Sequence, residues 1–340
     1  MSTLKVNKIR DNSGSTDAIV LDPSGGAVLA GVTTVSAVKV GSGVTISSDG
    51  DVFTTGITTS SSVIVGSGVT ISESGIEASG IGITCANING NQIGGRRNLI
   101  INGAMTVAQR GTSSTSTGFY TVDRFKIQTS SVDETPTQTQ ADVAAGTTPY
   151  TLGFRKSYKV TNGNQTSGAG SEDLMRISTK LEAQDIANSG WNYLSTSSYI
   201  TLSYWVKSSV AQNFYVNLIT NDGTVQNYVT ETGSLTADTW TKVIKTIPGN
   251  SNLTFNNDNG EGLAIEFNMF RGTDTTGTRP LNAWAALNTA TRIPDMTSTW
   301  YTTNDATFEI TGVQLEVGSQ ATAFEHRTFG DELSLCQRYF

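Results

Sequence analysis

The single histidine, His326, lies in Phe324-Glu325-His326-Arg327, beside an aromatic residue. A general base needs an orienting carboxylate and a nucleophile, and the sequence singles out neither, so His326 reads as a packed or hydrogen-bonded side chain. Glycan cleavage needs only two carboxylates. Glu172, Asp173, Glu182, Asp185, Glu266 and Asp305 can be nominated for it, yet no spacing separates them from solvated surface charge. No catalytic residue is assigned, and the expectation is a chain that is not an enzyme. Cys85 and Cys336 are the only cysteines. So far apart, and with one histidine, they form neither a disulfide framework nor a typical zinc site, and both read as ordinary buried residues.

Two loops resemble ligand cradles superficially. Asn256-Asn257-Asp258-Asn259-Gly260-Glu261-Gly262 offers oxygen ligands and a turn glycine, but lacks the carboxylate spacing and distal bidentate glutamate of a calcium-binding EF-hand loop. Turn chemistry explains its composition. The glycines of VGSGVTIS are followed by no Lys-Ser/Thr and no helix, so they are turns and not a phosphate loop. No cofactor and no metal are expected.

The aromatic residues point to binding. Trp191, Tyr193, Trp205, Tyr228, Trp284, Trp300 and Tyr301 fall in predicted loops or on outward strand positions. There a sugar's C–H face could stack while Asn, Asp and Thr take its hydroxyls; packing in a core or a subunit interface is the competing use. These seven are the candidate glycan-binding residues.

The elements that must position them are strands. Charged residues make up only 15% of the 340-residue chain and glycine fills 35 positions, a vocabulary of turns and short strands rather than long helices. The formal net charge of −7 argues against a nucleic-acid partner, which would need clustered Lys and Arg. No apolar run is long enough to span a membrane, and the opening MSTLKVNKIR has no secretory apolar core, which predicts synthesis in a cytoplasm.

A duplication dominates the first third. Gly31-Val32-Thr33-Thr34 and VKVGSGVTIS (38–47) recur as Gly56-Ile57-Thr58-Thr59 and VIVGSGVTIS (63–72), a period of 25. Val38, Val40, Val44 and Ile46 share one parity and Lys39 and Thr45 the other around Gly-Ser-Gly, which reads as strand, turn, strand. Two units and a degraded third cannot bury a core alone, so partner chains are implied. The expected organisation is a leader (1–30), a glycine-rich β-repeat stalk (31–95) and a C-terminal domain (96–340).

In that domain YITLSYWVK and LAIEFNMF alternate with one polar face, the pattern of sheets half buried against each other. Further strands are predicted at 155–160, 214–219, 239–247 and 306–317, the last with a bulge at Gly312 where the apolar parity switches. Short helices are predicted at 182–188 and 331–339, the second with Leu333, Cys336 and Phe340 on one face. The fold class is all-β: an extended β-repeat stalk followed by a two-sheet jelly-roll sandwich of about eight strands.

NLIINGAMTVAQRG (98–111), followed by Tyr120-Thr121-Val122-Asp123-Arg124-Phe125, resembles the opening of the C-terminal domain of tail-fibre and related virion fibre proteins of tailed bacteriophages, marine phages especially. ITGVQLEVGSQATAFEHRTFGDELSLCQRYF (310–340) resembles that domain's closing segment, and STLKVNKI is similar to the N-termini of other marine-phage structural proteins. The resemblance implies a jelly roll like that of carbohydrate-binding modules, on a homotrimeric, non-enzymatic fibre. Its partners would be other virion proteins through the N-terminus and a host-surface glycan, and it would reside in the virion. No family motif fixes the ligand residues. A head-anchored or decoration protein and a glycan depolymerase are the alternative readings.

Overall fold

The computed structural model describes residues 97–340 and, upstream, six short strands: β1 (Lys8–Arg10), β2 (Asp17–Leu21), β3 (Ala27–Leu29), β4 (Val38–Val40), β5 (Val44–Ile46) and β6 (Val52–Thr54). The chain divides into two compact units, Met1–Gly82 and Ile83–Phe340.

In the first unit β1, β2 and β3 form one antiparallel sheet, and β4, β5 and β6 another. Strands β4 and β5 are the arms of the first repeat copy. Val38 lies opposite Ile46 and Val40 opposite Val44, which is the register that the alternation of VKVGSGVTIS dictates. The second copy, the predicted limits at 30 and 95, and Cys85 lie outside the described residues.

Among its described residues the second unit holds twelve strands: β7 (Ser113–Ser114), β8 (Phe125–Ser130), β9 (Thr137–Asp142), β10 (Lys156–Thr161), β11 (Leu174–Glu182), β12 (Tyr199–Ser208), β13 (Tyr215–Thr220), β14 (Gln226–Glu231), β15 (Thr241–Pro248), β16 (Glu261–Arg271), β17 (Trp284–Ala286) and β18 (Thr307–Val317). They form two six-stranded antiparallel sheets, ordered β15-β12-β18-β10-β9-β7 and β17-β14-β13-β16-β11-β8. Neighbours in sequence repeatedly fall in opposite sheets, as β10 and β11, β12 and β13, and β14 and β15 do, a jelly-roll winding around one core. Four short helices join them: α1 (Thr148–Thr151), α2 (Ala183–Ala187), α3 (Thr299–Thr302) and α4 (Phe329–Gln337). Among the described residues no helix is long and apolar enough to cross a membrane.

Period-2 alternation builds the core. Ile127, Ile177, Phe267 and Val216 form one inward row across β8, β11, β16 and β13. Ile200, Leu202, Tyr204 and Val206 of β12 face them from the other sheet, and Tyr204 meets Phe267 edge-on at 5.1 Å. A side chain so placed contributes about 3–5 kcal/mol relative to Ala. In β18, Phe308 and Ile310 face inward, and Gly312 (φ 62°) then joins Val313 opposite Tyr204, so that Val313 and Leu315 face inward in turn. This is the bulge predicted from the parity switch.

The sandwich has twelve strands where about eight were expected, because some strands carry too little apolar alternation to be recognised. In β9 (TQTQAD) the buried position is Gln138, whose Oε1 accepts from Thr121 Oγ1 at 3.0 Å and Tyr158 Oη at 2.8 Å. Helix α4 starts two residues earlier than predicted, where Thr328 Oγ1 accepts from Asp331 N. Its buried residues are Glu332 and Cys336, whereas Leu333 is only half-buried and Phe340 is 66% exposed.

Candidate functional site

The outward parity of the β16 sheet carries an ordered polar surface. Lys126, Ser178, Glu266 and Asn217 line up across β8, β11, β16 and β13. One step along, Gln128, Arg176, Asn268 and Tyr215 form the next row, and Lys180, Ala264 and Ile219 flank the other side. Residues two apart on a strand share a face, so the inward rows of this sheet are apolar and the outward rows polar.

Between these rows lies a groove of about 230 Å³, floored by Ser178, Ala264 and Glu266 and walled by Lys126, Gln128, Arg176, Lys180, Asn221 and Arg292. Arg292 comes from the segment between β17 and α3. That segment is fixed over the sheet because the Arg292 carbonyl accepts from Asn227 Nδ2 at 2.6 Å. Gln128 Oε1 accepts from both Arg176 Nε and Ser178 Oγ at 3.2 Å.

Glu266 organises the charges. Its side chain is 6% exposed and pairs with Arg176; Arg271 lies 3.5 Å away and Arg292 3.7 Å away. Asn217 Nδ2 donates to it at 3.2 Å. Burial pulls Arg271 down to about 9, Glu266 acting to raise it and Arg176 and Arg292 to lower it, so the guanidinium stays charged at neutral pH. Lys126 is lowered by burial and then by the neighbouring charges of Lys180 and Arg176. Lys180 pairs with Glu261, which also accepts from Asn221 Nδ2 at 2.6 Å.

A second concavity, of about 600 Å³, lies between Asn98–Ile101, α2 and α4. Its arginines are committed to holding the chain together. Arg327 donates to the carbonyls of Asn98 and Ile100, and Arg338 pairs with Glu182 at 2.6 Å. The sheet groove is the better candidate because Lys126 there faces the opening with only the Phe119 ring, at 5.7 Å, as a cation–π partner.

The seven aromatic candidates do not form this site. Trp300 and Tyr301 sit in α3 and are fully buried; Trp300 Nε1 donates to the Thr307 carbonyl at 3.0 Å and Tyr301 stacks on Phe270 at 4.3 Å. Tyr228 is buried against Trp284 at 5.2 Å, and Trp284 reaches the other sheet through Nε1 to the Pro248 carbonyl at 2.7 Å. Trp191 is buried, with Tyr193 and Phe255 packed around it. Half-buried Trp205 lies on the outer face of the other sheet, opposite Thr311 and Lys242. Burial thus makes core of Trp191, Tyr228, Trp300 and Tyr301 and leaves these four no open ring face for a ligand, whereas Tyr193 and Trp284 are half-buried and packed against that core.

The nominated carboxylates are likewise dispersed. Asp173 accepts from Gly170 N in a turn, Glu182 holds Arg338 and Tyr339, Asp305 lies in the turn before β18, and only Glu266 reaches the groove. His326 is exposed; its Nε2 donates to the Leu152 carbonyl at 2.9 Å beside Phe154 and Phe324, a hydrogen-bonded histidine rather than a buried one. Buried Cys336 is pushed up to about 12, chiefly by burial. In the 256–262 loop, Asp258 Oδ1 accepts from Gly260 N at 2.9 Å, a turn contact, and among the described residues no cluster of three or more His, Cys, Asp or Glu could hold a metal. The groove residues missed in the sequence had a usable signal: in FKIQ and MRISTK, Lys126, Gln128, Arg176, Ser178 and Lys180 alternate with core residues.

No protein-family model matches the chain, and no curated protein matches it significantly in sequence. Among solved structures, the enzymatically active domain of tailspike protein 4 of bacteriophage CBA120 is similar at 10% identity and TM-score 0.35, over 65% of this chain and 21% of that one. The N-terminal cellulose-binding domain of Cellulomonas fimi β-1,4-glucanase C is similar at 10% identity and TM-score 0.30, over 64% and 99%. The family 11 carbohydrate-binding module of Clostridium thermocellum is similar at 12% identity and TM-score 0.28, over 63% and 98%. At this distance no residue role transfers from them.

Proposed function

We propose that this chain is a structural fibre of a phage virion whose C-terminal sandwich binds a host-surface glycan in the groove on the β16 sheet. The observation that carries the binding half is the groove itself. Amide, hydroxyl and charged groups of Gln128, Ser178, Asn221 and Lys126 converge on a shallow concavity over a rigid sheet, a surface that suits hydroxyl-rich ligands. The fibre half rests on the resemblance of residues 98–125 and 310–340 to virion fibre domains and on the 25-residue repeat. A homotrimer would cover the edges of the short repeat strands and present three grooves together, turning weak sites into strong attachment by avidity. Attachment to the virion would use the N-terminal leader.

The role is binding and not cleavage. Glu261 and Glu266 are the groove's two carboxylates, and each is held in an ion pair, Glu261 with Lys180 and Glu266 with Arg176. Both carboxylates are thus engaged in holding the groove's cations in place.

Probing a glycan array with the full-length chain tests the binding. Binding is expected, and Gln128→Ala and Asn221→Ala are expected to weaken it without changing the fold. Binding unchanged in both variants would move the site elsewhere.

A further inference from the structure

The groove's charge runs against that of the chain. The whole sequence carries a formal −7, yet Lys126, Arg176, Lys180 and Arg292 line the groove against two carboxylates, Glu261 and Glu266, a local excess of two positive charges. Arg271 adds a third from behind, its side chain 3% exposed. The carboxylates do not absorb this excess. Glu266 is shared among three arginines, and Glu261 is taken by Lys180.

Donors are left over. Arg292 Nε is buried without a hydrogen-bond partner, and Lys126 is flanked by the like charges of Lys180 and Arg176, which with burial lower its pKa. Packing like charges on one sheet face costs stability. An anion in the groove offsets that cost, and a guanidinium fork matches carboxylate or sulfate oxygens.

We propose that the groove selects an anionic saccharide, seating a carboxylate or sulfate over Ser178 between Lys126 and Arg292. This rests on the glycan-binding reading and narrows it to acidic polysaccharides. Lys126 and Glu266 are two strand spacings apart, roughly 10 Å, enough for one sugar ring between the cationic walls. Gln128 and Asn221 then lie at the groove's margins for ring hydroxyls.

Calorimetric titration of the full-length chain with three oligosaccharides of equal length tests this: an oligogalacturonate, a sulfated oligogalactan and a neutral oligogalactan. At least one acidic probe should bind about tenfold tighter than the neutral one, an advantage that falls as salt rises. The carboxylate and sulfate arms decide which group is recognised. Lys126→Gln, with its melting temperature as the folding control, should bring acidic binding down to the neutral level, and Arg292→Gln should do the same independently. Equal affinity for acidic and neutral probes would overturn the inference while leaving the glycan reading intact, as would acidic binding indifferent to both substitutions. No binding by any probe would sink the glycan reading itself. Tighter binding of a single-stranded oligonucleotide than of every sugar would replace the ligand class.

Discussion

Arg327 donates from Nη1 to the Ile100 carbonyl at 3.1 Å, joining two residues that lie 227 positions apart. Around this bond Asn98 N donates to Glu325 Oε2 at 2.6 Å, Asn102 N donates to Glu332, and Arg327 lies 3.3 Å from Glu325 and 3.5 Å from Glu332. The two segments that resemble virion fibre domains are therefore in contact, one opening the sandwich and the other closing it. Arg327→Ala removes the cation between the Glu325 and Glu332 carboxylates and the side-chain donor to the Asn98 and Ile100 carbonyls, and should cost about 3–5 kcal/mol, read by urea denaturation. Arg327→Lys keeps the charge but loses the fork, and is expected to fall between the two.

Glu266 is the corresponding pivot of the groove. Glu266→Gln leaves Arg176, Arg271 and Arg292 without their shared carboxylate, and about 3–5 kcal/mol of stability should be lost in the same assay. A loss under 1 kcal/mol would mean that the arginines find other partners.

The Tyr204 hydroxyl is wholly buried and has no hydrogen-bond partner, and burial raises its pKa. Tyr204→Phe removes an unsatisfied polar group while keeping the ring on Phe267, so a gain of about 1 kcal/mol is expected in thermal unfolding. A loss would show that the hydroxyl has a partner in solution.

The docking of residues 338–340 should depend on pH in both directions. Burial pushes Glu182 upward, but hydrogen bonds from Tyr339 and Gln184 and the Arg338 charge prevail, leaving its folded pKa below the ordinary value. The stabilisation is full above the unfolded value, about 4.3, and fades as pH falls through the lower folded one. Tyr339 is raised to about 12, first by burial and then by its hydrogen bond to Glu182. Its contribution is full below about pH 10 and fades as pH rises toward 12. The difference in Tm between this chain and its Glu182→Gln variant, followed across pH, should be largest between these limits; a difference independent of pH would contradict the clamp.

Much of the sandwich was legible because its central strands alternate cleanly: β12, β16 and β18 announced themselves, bulge included. What stayed hidden was burial at the ends of the sandwich. Trp300 and Tyr301 lie in a stretch without periodicity, and nothing local says that a single helical turn folds them under Asn162, whose Nδ2 donates to the Tyr301 carbonyl at 2.6 Å. The groove stayed hidden for a different reason. Its residues come from four strands, and their convergence is a matter of register, which one strand's sequence does not contain.

On the proposed reading of the chain as a trimeric fibre, the expected mass is three times 36.0 kDa, or about 108 kDa. Mass photometry at nanomolar concentration should report that mass; a 36.0 kDa monomer would remove the trimeric fibre.

Lysine footprinting with and without bound glycan tests the groove most directly, because the two sheets carry lysines on separate outer faces. Protection is expected at Lys126 and Lys180 on the β16 sheet, with Lys242, beside Trp205 on the other sheet, labelled equally in both states. Protection of Lys242 with Lys126 and Lys180 unchanged would contradict a glycan site in this groove.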